Sequence, residues 1–357
     1  MSKSSLSLGM IGAGFIGQLG HLMNYVEIKN CRVVALAEMR PELRRKVAER
    51  YAIPKTYASH REMLRDPDVE AVVVVTPRPH TAPVVLDCLQ AGKHVLSEKP
   101  MAGTFSQAEQ LVAVAKRNKL HYAIGYMKRH DEGVQAAKQL YDEVTSSGAL
   151  GHVLFARAHC YMGDSYCNAD GHVVTDEKPD YGDSGWPMAP DWLPPQWHKS
   201  FAAFANTYSH NVNLLRFLIG ARPRVEYASL AREGGQISVL DFGAFRGSLE
   251  TGRSTNRGWD EVTEIYLEHG RLTVRTPPAL LKNVPAAVQL YKAGQVQETL
   301  TPQTGWTWSF RRQAQAFVDD VLSGRDSIAS GQDSLEDLRL IEEMWRLQMS
   351  GGCLRPR

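Results

Sequence analysis

The chain has 357 residues, 43% of them hydrophobic and 22% charged, which is the balance of a soluble globular protein long enough to bury two cores. Its 41 basic and 39 acidic side chains leave a formal charge of +2, too weak a field to point to nucleic acid as a partner. No apolar run is long enough to span a membrane, and the opening Met-Ser-Lys-Ser-Ser-Leu-Ser lacks the apolar stretch of a signal peptide, so a cytoplasmic location is expected. Five cysteines (Cys31, Cys88, Cys160, Cys167 and Cys353) form no CxxC pair; they read as free thiols, and no metal site is expected.

The first apolar run, residues 6–11, reads as a strand ending in Gly12-Ala-Gly14-Phe15-Ile16-Gly17. Here Gly12 permits a tight turn, Gly14 lets a pyrophosphate approach the backbone, and Gly17 lets the next helix pack closely with its N-terminus toward the phosphates. A second apolar run at 32–37 ends at Glu38, placed to bind ribose hydroxyls. A strand before, a helix after and an acid about twenty residues on turn a weak glycine motif into a dinucleotide fingerprint. Glu38 would repel a 2′-phosphate and favours NAD, whereas Arg40 would pair with that phosphate. NAD is the expected cofactor and NADP the alternative.

Further strands are expected at 71–75, 94–97 and 121–125, several of them continuous Val/Ile/Leu/Ala runs that suit parallel strands buried on both faces. Ser59 with Glu62 and Thr104 with Gln107 have capping-box spacing, and the helix after Thr81 carries Val84, Val85, Cys88 and Leu89 before stopping at Gly92. This alternation predicts a doubly wound α/β unit, a Rossmann sheet over residues 1–128. At the end of the 94–97 strand stands Ser97-Glu98-Lys99-Pro100, which puts Lys99 on the same sheet edge as the glycine loop. Pro100 restrains the backbone of Lys99. A lysine held there can donate a hydrogen bond to a substrate hydroxyl and, if partly desolvated, exchange its proton.

Beyond about residue 128 the pattern changes. A helix at 131–147 precedes strands at 153–159, 224–230, 236–245, 261–267 and 271–275 without long helical crossovers, so residues 129–357 are predicted to form an α+β domain with an open, mostly antiparallel sheet. A helix beginning at His210 carries Leu214, Leu215, Phe217 and Leu218, and two C-terminal helices, with faces Phe310/Ala314/Phe317/Val321 and Leu335/Leu338/Ile341/Trp345, pack back. Residues 160–205 form a long irregular stretch holding Tyr161, Tyr166, Tyr181, Trp186, Trp192 and Trp197, too aromatic for disorder. It reads either as a wall over the substrate or as an arm that packs on a neighbouring subunit.

The glycine loop, the acid closing the second strand, Thr76-Pro77-Arg-Pro-His80 and Glu98-Lys99-Pro100 together resemble the Gfo/Idh/MocA oxidoreductases, relatives of glucose–fructose oxidoreductase and inositol 2-dehydrogenase. The stretches His210-Asn-Val-Asn-Leu-Leu-Arg-Phe-Leu-Ile-Gly220 and Trp308-Ser-Phe-Arg-Arg-Gln-Ala-Gln-Ala-Phe-Val are also similar to that family. The resemblance implies NAD or NADP, a sugar, sugar-nucleotide or cyclitol substrate, and a homodimer or homotetramer. It makes Lys99 and His210 the catalytic pair, with Tyr208 beside them, and places Thr76, Pro77, His80, Glu98 and Pro100 with the glycine-loop residues at the cofactor. Lys128, Asp164, Tyr166 and Asn206 join His210 as candidate substrate contacts. The chain departs from the family pattern at Asn206 and Asn213, where many members carry aspartate. A neutral amide cannot act as a base, so Lys99, His210 and Tyr208 are left to manage the proton.

The activity expected is hydride transfer between nicotinamide and a secondary alcohol or ketone of a sugar, glycoside or cyclitol. One alternative is a glycosidase that oxidises transiently, eliminates and re-reduces. The other is a cofactor-binding regulatory protein without catalysis.

Overall fold

The computed structural model describes residues 4–182, 184–232, 234–254 and 258–351; Cys353 lies outside them. The chain sorts into two compact units. One contains residues up to 126 together with 169–198 and 310–335, and the other contains 127–168, 199–309 and the chain from 336 on. The sequence reading draws one boundary, at 128/129; the contacts give the first unit two later stretches as well.

The first unit is built on β1 (Leu6–Ile11), β2 (Cys31–Ala37), β3 (Lys55–Tyr57), β4 (Ala71–Val74), β5 (His94–Ser97) and β6 (Tyr122–Ile124), in the order β3-β2-β1-β4-β5-β6. Neighbouring strands run parallel throughout. This is the Rossmann order, whose switch point lies between β1 and β4. β1 and β4 are buried along their whole length, as their unbroken apolar runs require. β3 was not expected: Lys-Thr-Tyr is short and half-exposed, the composition of a protected sheet edge.

The helices follow the strands as α1 (Gly17–Leu22, π-wound, continuing into Met23–Tyr25), α2 (Pro41–Tyr51), α3 (His60–Met63), α4 (Arg78–Gln90) and α5 (Phe105–Arg117). Both expected caps form: Ser59 Oγ accepts from the Glu62 amide and Thr104 Oγ1 from the Gln107 amide, each at 3.2 Å. The return bonds reach one residue further out than a capping box, from the amides of Ala58 to Glu62 and of Gly103 to Gln107. α4 starts ahead of the predicted Thr81, because Pro77 and the Pro at its second position suit a first turn. From α8 (Ser309–Ser323), Ala314, Phe317 and Val318 enter the core around Leu8, Met10, Leu36 and Leu96.

The second unit contains α6 (Glu132–Ser147), α7 (His198–Ile219) from Lys199 on, α9 (Gly331–Met349) from Glu336 on, and the strands β7 (Val153–Met162), β8 (Arg224–Ser229), β9 (Gln236–Asp241), β10 (Arg246–Arg253), β11 (Asp260–Leu267), β12 (Gly270–Arg275), β13 (Ala287–Lys292) and β14 (Glu298–Leu300). The sheet order is β14-β13-β12-β11-β7-β10-β9-β8, antiparallel except for the parallel pair β7 and β10. The single strand predicted at 236–245 is instead a hairpin arm: the chain leaves β9 at Asp241, turns through Gly243 at φ +87°, and returns as β10. β10 reads Arg-Gly-Ser-Leu-Glu-Thr-Gly-Arg, and its two glycines hide it from a propensity reading.

His210 does not begin a helix. α7 starts twelve residues earlier, after Pro194 and Pro195, because Phe201, Phe204, Tyr208, Val212 and Leu215 continue one apolar face at helical spacing. Trp345, fully buried, meets that face edge-on at Phe201 and Phe204, with ring centroids 5.9 and 6.4 Å away.

Candidate functional site

The chain leaves β1 into the glycine loop, and each glycine has a distinct geometric reason. Gly12 sits at φ +91°, where an added Cβ would lie 2.2 Å from the Val75 carbonyl oxygen; at Gly17 it would lie 2.5 Å from that of Gly12. At Gly14 a Cβ would meet nothing within 4 Å, so the loop keeps an open cradle above the start of α1, at the place and with the polarity that suit a pyrophosphate.

Glu38, 5% exposed, follows β2 and reaches back to this loop. Its Oε2 accepts from the Ala13 amide at 2.9 Å, while the Arg40 guanidinium grips both oxygens, Nε to Oε1 at 2.8 Å and Nη2 to Oε2 at 3.0 Å. Burial opposes ionisation here, but the bonds from Arg40 and the Ala13 amide, with the charge of Arg40, outweigh it and hold the carboxyl below its ordinary range. A carboxylate is therefore fixed where ribose hydroxyls would lie, and the guanidinium that could have served a 2′-phosphate is closed on Glu38. These residues fit NAD.

After β4, Thr76 exchanges a hydroxyl contact with Thr81 at 3.2 Å, Pro77 caps α4, and His80 stacks on Tyr181 with centroids 4.5 Å apart. After β5, the Glu98 carboxylate contacts His21 Nε2 at 2.8 Å and accepts from the Lys99 amide at 3.1 Å. Burial raises the Glu98 pKa, yet the His21 bond and the charges of His21 and Lys99 win and hold it low. Lys99 is half-buried and joined to Pro100 by a cis peptide. All of these groups lie at the carboxyl ends of β1, β2, β4 and β5, the edge where open parallel sheets take ligands.

A cleft of about 450 Å³ opens on this edge, lined among others by Gly12, Glu38, Thr76, His80, Tyr181 and Trp186. Its size and mixed lining are those of a small-molecule site. Sequence reasoning named Tyr181 and Trp186 as aromatics but not as cleft residues, and it missed His21 and the fully buried Gln18. Gln18 directly follows the last loop glycine and His21 lies one turn beyond it, so position relative to Gly17 is the available signal. A cavity of about 480 Å³ beside His121, Asp320 and Ser330 lies at the amino end of β6, away from the glycine loop.

In the second unit, Lys128 is buried, paired with Glu261 and 5.9 Å from the centre of the Trp259 ring; Asn211 donates to the same Glu261 oxygen at 2.7 Å. Arg129 donates to Asn213 Oδ1 at 2.7 Å, Asn213 donates to Asp337 at 2.7 Å, and Arg216 reaches Asp337 at 2.6 Å. Asn213 thus bridges the Arg129 guanidinium and the Asp337 carboxylate of α9. Tyr208 is buried with its hydroxyl donating to the Gly252 carbonyl at 2.9 Å, so its proton is committed to packing. Asp164 accepts from the amides of Tyr166 and Cys167, and Tyr166 is 61% exposed. Asn206 and His210 stand half-buried one helical turn apart on α7.

Residues 6–126 match the family model described as "Oxidoreductase family, NAD-binding Rossmann fold". Those residues carry the NAD-binding domain of the Gfo/Idh/MocA oxidoreductases, and the chain as a whole is similar to proteins of that family. An inositol 2-dehydrogenase of Burkholderia cenocepacia is 27% identical, over 98% of this chain and 95% of that one. Among solved folds, the aldose–aldose oxidoreductase of Caulobacter crescentus superposes with a TM-score of 0.76 at 22% identity, covering 99% of this chain and 100% of the other. A levoglucosan dehydrogenase in complex with NADH and levoglucosan gives 0.75 at 18% identity, with coverage of 98% and 100%. The fold of these structures is thereby shared along the whole chain, and residues 6–126 form a Rossmann domain of the NAD-binding kind. Among the described residues no helix is long and apolar enough to cross a membrane.

Proposed function

We propose that this oxidoreductase transfers hydride between NAD and a secondary alcohol or ketone of a sugar, glycoside or cyclitol. The observation that carries the proposal is the alignment on one sheet edge of an open glycine cradle, the ionised Glu38 and Lys99. Relatives named for inositol, aldoses and levoglucosan support a polyhydroxylated ring as substrate. When bound, NAD supplies the hydride acceptor. Lys99, as the free amine, takes the hydroxyl proton as the alcohol carbon gives up its hydride, and the ammonium so formed returns it in the reverse direction. Glu98 acts on Lys99 by position: its carboxylate, in contact with His21, holds the backbone amide of Lys99, and its charge interacts favourably with the ammonium. His210 keeps the proton-handling role that the family resemblance assigns it, and Tyr208 is left out because its hydroxyl is occupied.

The test is NADH absorbance across a panel of sugars, glycosides and cyclitols, with product release followed in parallel. On the substrate so found, Lys99→Ala is expected to lower kcat at least about a hundredfold while leaving NAD affinity unchanged. Full activity in that variant would overturn the assignment of Lys99. Release of an aglycone without accumulation of NADH would establish the transient-oxidation glycosidase instead.

A further inference from the structure

Residues 171–182 and 184–188 are laid across the ligand-binding edge of the Rossmann unit and fastened loop by loop. It starts beside the glycine loop, where His172 meets the Phe15 ring edge-on at 5.0 Å. There the buried Gln18 side chain pairs with the Val173 backbone in both directions, receiving the amide at 2.8 Å and donating to the carbonyl at 2.9 Å. Next comes α2, whose first residues have no side-chain cap of their own. The Glu177 carboxylate provides one, accepting from the amides of Glu42 and Leu43 at 2.9 Å each. Between these points, residues 173, 175, 177, 179 and 181 are half-buried and 174, 176, 178 and 180 exposed, the alternation of an extended chain lying on a surface.

At α4, Tyr181 stacks on His80 and the Trp186 amide donates to the Pro79 carbonyl at 2.8 Å. That carbonyl is open because Pro83, one helical turn on, has no N–H to claim it. At the start of α5, Gln107 donates to the Pro187 carbonyl at 3.0 Å, and a Cβ on Gly103 would lie 2.1 Å from the same oxygen. The segment therefore touches the loops that follow β1, β2, β4 and β5 in turn, and it contributes Tyr181, Ser184 and Trp186 to the cleft wall.

We propose that residues 171–182 and 184–188 form a strap that belongs to the dinucleotide site: Tyr181 and Trp186 face the adenosine half of the cofactor, and the fastenings at Gln18, α2, Pro79 and Gly103 retain it between turnovers. This rests on the reading of the cleft as the NAD site. A ligand in the crevice beyond the strand ends lies beneath the strap, so both its arrival and its departure require some of these bonds to open. A step gated in this way lowers the association and dissociation rates together.

The experiment follows NADH fluorescence in stopped flow, on mixing and on displacement by excess NAD, for the full chain and for Glu177→Ala and Tyr181→Ala. Glu177 lies at a fastening rather than in the cleft lining, so it separates retention from direct contact. Both variants are expected to speed dissociation at least about tenfold, and Glu177→Ala to speed association as well, with thermal unfolding of the ligand-free proteins showing that each is folded. Dissociation within twofold of the parent in both variants overturns the strap. So does a change confined to Tyr181→Ala, which would make that tyrosine an ordinary contact. Tighter binding in the variants would overturn it too, marking the segment as an obstruction. Failure of the parent protein to bind NADH at all would instead refute the cofactor reading beneath it.

Discussion

The two units hold their charges differently. In the Rossmann unit the ionised groups near the cleft sit at strand ends, and their partners come from the loops and helix starts of the same sheet edge: Glu38 with Arg40 and the Ala13 amide, Glu98 with His21 and the Lys99 amide. In the eight-stranded unit they lie in the interior and join distant segments: Arg216 with Asp337, Lys128 with Glu261. A carboxylate held by its own loop keeps its place whether or not a ligand is present, and can offer its remaining lone pairs to one. A carboxylate held across a core fixes how a helix packs. The first arrangement is suited to binding, the second to geometry.

The largest expected effect tests the second arrangement. Burial pushes the Asp337 carboxyl above its ordinary range, even with Arg216 and Arg129 nearby. Asp337→Ala removes the carboxylate facing the buried Arg216 and should cost about 3–5 kcal/mol, read by urea unfolding. A loss under about 1 kcal/mol would mean that this pair is no more than a surface bridge and would erase the contrast between the units.

At the strand ends, Glu38→Ala should weaken NAD binding roughly 10- to 100-fold by titration. It should raise the affinity for NADP relative to NAD, since the variant removes the repelling charge and releases the Arg40 fork. An unchanged preference would show that Glu38 serves only to brace the loop.

The smallest effect concerns acid stability. His94 lies at the start of β5, and its Nδ1 accepts from the His121 amide at 3.0 Å. Burial first, and then the charge of His121, push its pKa down to about 4, against an unfolded value near 6.5. Between these values the unfolded chain binds the extra proton, so stability is complete above about pH 6.5 and declines as the pH falls toward 4. His94→Asn keeps an acceptor without the titration and should flatten that decline in thermal melts taken across the range, at a cost under about 1 kcal/mol at pH 8. An undiminished slope would place the acid sensitivity elsewhere.

Most of the Rossmann unit was legible because its signals are local. Continuous apolar runs gave β1, β4 and β5; the spacing from Gly12 to Glu38 gave the cradle and its acid; Ser59 and Thr104 gave two helix starts. What stayed hidden depends on partners far along the chain. Nothing near Gln18 announces Val173, and nothing in the sequence around Asn213 says that Asp337 answers it. The glycines of β10 mask a strand that exists because β7 and β9 pair with it on both sides. The helix turns before His210 are hidden because the apolar face from Phe201 onward begins in a stretch whose tryptophans and prolines read as irregular chain.

The proline inside α4 has one more consequence. Substituting alanine at position 83 would let the helix repair its own ladder, since the new amide would compete with Trp186 for the Pro79 oxygen. By helix propensity alone such a change counts as an improvement. Here it would loosen a mooring, so this is a position where perfecting the part works against the whole.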